Sequence, residues 1–148
     1  MQTGRYSILE ILDFQNLDQF VVPEIQRDYV WSQSEVKDIL ESIREGFENK
    51  DVPYLGFIYA YNDKDYVYKY FLIDGQQRLT TIVLLLIALY HKIGKRFPEH
   101  LIKDEKLKLD YKVRQATHDF VNDFIQYLDK NRDENSFDCK IIQEQIWY

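Results

Sequence analysis

Ile73-Asp74-Gly75-Gln76-Gln77-Arg78-Leu79-Thr80-Thr81 decides how the chain folds, because strand-like sequence ends on one side of it and helix-like sequence starts on the other. Residues 66–73 are rich in aromatic and β-branched types and read as a strand. Residues 79–93 are apolar on nearly every side, which marks a helix buried at the centre of a domain, and Gly94 and Pro98 stop it. Asp74, with Gln77 three residues later, has the form of a capping box for that helix. The cap leaves Gln76, Arg78, Thr80 and Thr81 unexplained in a turn that is otherwise apolar. Backbone N–H groups at a helix start lack intrahelical partners, and the helix dipole favours negative charge there. Gly75 permits close approach and Arg78 adds a positive fork, so the turn suits a phosphate.

Upstream, residues 54–61 form a second strand-like run, joined to the first by Asn62-Asp63-Lys64-Asp65, and the pair reads as an antiparallel hairpin. Ser32 and Glu35 form a further capping-box pattern, and Val36, Ile39, Leu40, Ile43 and Phe47 predict a helix over residues 34–48, apolar on one face. Glu35-Val36-Lys37 mimics a nuclease signature, but a helix start is the wrong place for it and the match reads as chance. Residues 19–22 read as a short strand ending at Pro23. Between that strand and the capped helix stands Pro23-Glu24-Ile25-Gln26-Arg27-Asp28-Tyr29-Val30-Trp31. Its polar residues beside Tyr29 and Trp31 suit the mouth of an aromatic-walled pocket for a phosphate or a base edge. They suit equally a structural knot in which Arg27 pairs with a carboxylate and Trp31 fills core.

Downstream, Leu107-Lys108-Leu109-Asp110-Tyr111 alternates like a strand, and Val113, Thr117, Phe120, Val121, Phe124, Ile125 and Leu128 describe an amphipathic helix. Residues 131–135 read as a polar turn, and residues 141–148 as an apolar helix cut short. The expectation is a fragment of a longer protein, with self-association through that apolar end. The predicted fold is α+β, a single domain over residues 1–148 with a small mixed or antiparallel sheet flanked by helices.

Composition bounds the function. The 148 residues carry 19 Lys plus Arg against 25 Asp plus Glu, a formal charge of −6, which argues against a sequence-independent grip on the nucleic-acid backbone. Twelve Tyr, nine Phe and two Trp exceed what a minimal core needs, so some are expected to line a cleft or partner surface. Cys139 is the only cysteine, so neither an intrachain disulfide nor a cysteine-rich zinc site can form. His91, His100 and His118 lack metal-ligand spacing and read as helix-surface residues, leaving no metal site in the protein itself. Residues 1–14 do not have the form of a signal peptide, and the longest apolar run, residues 82–90, is short of the ~20 residues that span a bilayer. A cytoplasmic protein without a membrane partner is expected.

The two polar stretches, in this order and with these elements around them, resemble the N-terminal domain of the GmrSD-type modification-dependent restriction endonucleases, of the ParB/sulfiredoxin-like superfamily. Val22 to Trp31 and Ile73 to Thr81 carry the match, the Asp-Gly-Gln-Gln-Arg turn being the family's hallmark. Leu109-Asp110-Tyr111-Lys112-Val113-Arg114, running on to Phe120, is similar to the Tyr-x-x-Arg segment of a subgroup. The resemblance implies binding and hydrolysis of a nucleoside triphosphate with Mg²⁺, coupled to recognition of modified DNA in phage defence. It implies that Gly75, Gln76, Gln77 and Arg78 hold phosphates, with Gln26 and Arg27 facing them and Thr80, Thr81 and Arg114 completing the binding set. Asp74, Arg78 and Arg27 become the candidate catalytic residues, Asp74 orienting a water or the Mg²⁺ shell. The nuclease is expected in a separate C-terminal module or subunit, and no nuclease centre in this chain. Gln76 and Gln77 stand where the sulfiredoxin branch places its Cys, which excludes sulfinic-acid reduction. Two alternatives remain: a non-catalytic module that recognises modified DNA, and a ParB-like nucleotide switch for partner assembly.

Overall fold

A computed structural model of the chain describes residues 4–14, 17–66, 68–112 and 115–131. Its elements follow in the order α1 (Ile8–Leu12), β1 (Gln19–Val22), α2 (Gln33–Asn49), β2 (Tyr59–Asn62), β3 (Lys69–Asp74), α3 (Gln76–Lys92), β4 (Ile102–Lys103), β5 (Lys106–Leu107), β6 (Leu109–Tyr111) and α4 (Gln115–Lys130). The main sheet runs β2-β3-β1-β6. β1 pairs parallel with both β3 and β6, and β2 closes one edge antiparallel to β3. The expected α+β architecture is present, and its sheet is mixed.

β1 is central, and Phe20, Val21 and Val22 are all buried, as parallel strands covered on both faces require. Phe20 and Val22 join Leu72 of β3, Leu109 and Tyr111 of β6, Leu79, Val83 and Ile87 of α3, and Ile125 and Leu128 of α4 in one core. α3 is the central helix that its apolar run predicts, and its chain leaves the helix through Ile93 and Gly94. α2 begins at Ser32 with the expected capping box to Glu35, which places Glu-Val-Lys in a helix start.

Several expectations need correction. The hairpin is shorter than its sequence suggests, because residues 54–58 leave the ladder and only Tyr59–Asn62 pairs with β3, across a register shift at Tyr59/Ala60. The alternating stretch at residues 107–111 is split: β5 pairs with β4 in a separate hairpin, and only β6 joins the main sheet. The turn of that small hairpin sets Asp104 and Glu105 at φ 49 and 62, the two left-handed residues of a type I′ connection. The apolar stripe of α2 is largely uncovered, with Ile39 buried but Leu40 and Phe47 exposed. His91 is buried inside α3, so it is not a surface residue. Arg114, Cys139 and residues 141–148 lie outside the described residues. Among the described residues, no helix is long and apolar enough to cross a membrane.

Candidate functional site

The parallel pairing brings three carboxyl ends to the same side of the sheet. β1 delivers residues 23–31 there, β3 delivers the turn into α3, and β6 delivers residue 112. In open α/β sheets this end, where connections diverge from a central strand, is where ligands bind. The two polar stretches of the sequence therefore meet in space.

Gln77 joins them. Its Oε1 accepts from the Val30 N–H at 2.7 Å and the Trp31 N–H at 3.3 Å, and its Nε2 donates to the Asp28 carbonyl at 2.8 Å. A buried side-chain amide thus serves residues 28–31 as a strand neighbour would, using both of its ends. This overturns the capping box: the N-cap of α3 is Gly75, at φ 86 and ψ 6, with no side-chain cap hydrogen bond. The left-handed residue moves the helix start one position on, and Gln77 turns to the other loop. Asp74 instead accepts from its neighbour, the Gly75 N–H, at 2.7 Å.

The two threonines tie the first turns of α3 to the adjacent strand and loop. Thr81 Oγ1 donates to the Gln77 carbonyl at 2.9 Å and meets the Tyr29 hydroxyl at 2.9 Å. Thr80 Oγ1 donates to the Gln76 carbonyl at 2.6 Å, so the Tyr111 hydroxyl beside it serves as donor to Thr80. Burial disfavours the phenolate and pushes the Tyr111 pKa up to about 12. Gln26 Nε2 donates to the Ile73 carbonyl at 3.2 Å, and Gln76 Nε2 donates to Gln26 Oε1 at 3.3 Å, so these amides stand together over the start of α3. Arg27 is exposed and makes no ion pair among the described residues. A knot exists at this loop, but Gln77 ties it and Arg27 does not.

Arg78 turns away from the helix start. Its Nη1 donates to the Phe57 carbonyl at 2.8 Å, and its guanidinium lies over Gly56, where a Cβ would come within 2.6 Å of Cζ. A Cβ on Gly75 would stand 2.7 Å from the same Phe57 oxygen. The close approach that Gly75 permits is therefore made by the chain's own residues 57 and 58. Residues 54–58 form a strap across the first turn of α3, a part of the site that strand-like composition hid. Gly56, isolated in a β-rich run, is the one signal that marks it. Between the strap and α2 opens a cleft of about 280 Å³, walled by Trp31, Tyr54, Ile39 and Leu55 and reached by Arg78.

On the outer side of β6, Asp110 is buried and binds Lys112 Nζ at 2.9 Å and His118 Nδ1 at 2.5 Å. His118 is thereby a partner of a buried carboxylate and not the free surface residue its helical position suggests. No group of three or more His, Cys, Asp or Glu side chains is placed to hold a metal ion among the described residues.

No curated relative matches the chain significantly. A family model described as GmrSD restriction endonuclease, N-terminal domain, matches residues 8–146. That span contains every element of the fold and all the residues gathered at the carboxyl ends of β1, β3 and β6, and the chain belongs to the N-terminal domain family of the GmrSD restriction endonucleases.

Proposed function

We propose that this domain binds a nucleoside triphosphate at the start of α3 and, in the intact protein, couples its hydrolysis to DNA cleavage by a separate nuclease module. Membership of the family makes the chain part of a restriction protein of phage defence. The observation that carries the nucleotide reading is the start of α3 itself: its N-cap is a glycine, no side chain caps it, and it sits where three parallel strands end. The N–H groups of Gln76, Gln77 and Arg78 are the donors such a helix start leaves for an anion. The Gln26 and Gln76 amides adjoin them. Arg27 supplies a guanidinium with no competing ion-pair partner among the described residues.

Mg²⁺ fits this set in the way it usually accompanies a triphosphate, through one or two carboxylates and the phosphates themselves. Asp74 has one oxygen on the Gly75 N–H and the other without a hydrogen-bond partner among the described residues, and is the residue that would hold the ion. Bound there, Mg²⁺ would neutralise charge on the phosphates. Arg27 would stabilise the charge that develops on the transferred group. Asp74 would also orient the attacking water.

Arg27→Ala is the most direct test, because Arg27 is exposed and makes no ion pair or side-chain hydrogen bond among the described residues. Calorimetry with the four ribonucleoside triphosphates and Mg²⁺ should show affinity reduced about ten- to a hundredfold, the contribution of one charged hydrogen bond, at unchanged melting temperature. Equal affinity in parent and variant would remove the phosphate from this site.

A second reading, recognition of modified DNA without nucleotide, has one observation in its favour. Phe57, Tyr59 and Tyr61 are all exposed along the strap and β2, where they offer ring faces for stacking.

A further inference from the structure

The cleft between α2 and the strap has a lining that the phosphate reading does not use. Trp31 and Tyr54 give it aromatic walls from two separate segments, and Glu35, Asp38 and Ser42 approach from α2. Arg78 enters from α3, held in place by the Phe57 carbonyl. The charged groups do not neutralise one another: among the described residues Asp38 has no side-chain partner, and Glu35 binds only Ser32 and Ser34. Those Ser32 hydrogen bonds hold the Glu35 carboxyl below its usual range, so it stays ionised. The wider depression of about 470 Å³ near α1 and β4 differs in this respect, since its Lys103 is paired to Asp18 at 2.7 Å and its Lys108 to Asp13 at 3.9 Å.

Opposite charges that line one cleft without pairing restrict what can fill it. A phosphate or other anion meets two carboxylates there, and a cation meets Arg78. An apolar occupant would strip water from three charged groups and return nothing. A nucleobase satisfies all the terms. Its edge sets donors beside acceptors, its rings stack on aromatic side chains, and it is flat enough for a cleft of this size.

We propose that this cleft takes a single nucleobase, stacked on Trp31 and Tyr54, with its polar edge between the Asp38 carboxylate and the Arg78 guanidinium. The proposal rests on the nucleotide reading for one source of the base, the bound triphosphate. A base turned out of a DNA strand presents the same chemistry and is the other source.

Trp31 reports on the cleft directly. The chain has two tryptophans, so Trp147→Phe leaves Trp31 as the sole tryptophan, and excitation at its red edge reads it apart from the tyrosines. In that background, millimolar nucleosides should quench the emission, and Tyr54→Ala should weaken the effect about tenfold. Tyr54 is 65% exposed, so the substitution leaves the core intact, and an unchanged melting temperature checks this. Asp38→Asn should change the order of preference among the four nucleosides, because an amide donates as well as accepts. Neither variant should alter the binding of tripolyphosphate. Competition between nucleosides and a nucleoside triphosphate for Trp31 assigns the base to the nucleotide. Quenching by a short duplex with one unpaired base, and not by nucleotides, assigns it to DNA. No quenching by nucleosides, nucleotides or the duplex overturns the proposal, as does quenching that both variants leave unchanged. Tripolyphosphate binding in that event would leave the phosphate reading standing, and its failure beside nucleoside quenching would remove that reading and keep this one.

Discussion

β1 and β2 belong to one sheet, yet they live under opposite physical regimes. All three apolar residues of β1 are buried between two parallel neighbours, whereas all four residues of β2 are exposed at the edge. The flank beyond β2 continues the pattern: the strap carries exposed Tyr54 and Phe57, and α2 turns Phe47 to solvent at 85% exposure. The centre accordingly fixes the geometry of the helix start, and the flank holds side chains whose burial the domain does not need. Surface apolar groups of this number are the kind that interaction sites expose. The lesson is a division of labour: interior residues place α3, and the residues free to meet a ligand are gathered outside the central strand.

The sharpest way to break this comparison is to truncate one apolar residue in each region. Leu79→Ala, at a fully buried position of α3, should destabilise the domain by about 2–5 kcal/mol in chemical denaturation, whereas Phe47→Ala should stay within about 0.5 kcal/mol of the parent. Comparable losses at the two sites would mean that α2 is packed against something in solution.

Gln77→Leu comes next in size. It removes the acceptor of the Val30 and Trp31 N–H groups and the donor to the Asp28 carbonyl, at a cost of about 1–3 kcal/mol for the groups left unsatisfied. Hydrogen exchange should quicken at Val30 and Trp31 while the amides of β1 stay protected. Uniform acceleration would show that the loop and the central strand unfold as one unit.

The smallest effect is expected of Tyr111→Phe, about 1 kcal/mol at neutral pH for the bond to Thr80. Its larger signature is alkaline. The folded Tyr111 has its pKa raised above the ordinary value of 10.0 to about 12, so its contribution to stability is intact below pH 10 and is lost as pH rises towards 12. The Phe variant should lack that part of the decline in melting temperature. An unchanged alkaline profile would place the phenol in water.

The sequence made individual elements legible where the cause was local. Hydrophobic spacing and the Ser32 cap identify α2, and the run after Arg78 identifies the central helix. The candidate residues were legible as types and the two polar stretches do meet. Their partners were not legible, because the bonds that employ them span long separations: 47 residues from Val30 to Gln77, and 31 from Thr80 to Tyr111. The capping box failed for the same reason. Its local pattern at Asp74 and Gln77 is sound, but a distant loop with three unsatisfied backbone groups takes the Gln77 amide, and Gly75 at positive φ makes the turn without it. His91 looked like a surface residue because helical position alone does not say which side of a central helix is covered.

The placement of β1 also sets a timetable for synthesis. β1 acquires β3 as a neighbour midway along the chain, but its other edge stays open until β6 has been made, and the Gln19 side chain waits 88 residues for the Leu107 carbonyl. A nascent chain that has emerged only as far as α3 therefore presents a hydrophobic strand with one row of unpaired backbone groups, the form of edge that recruits other chains. Contacts of such long range close slowly. Pairing of residues 109–111 with β1 is then the event that removes this edge.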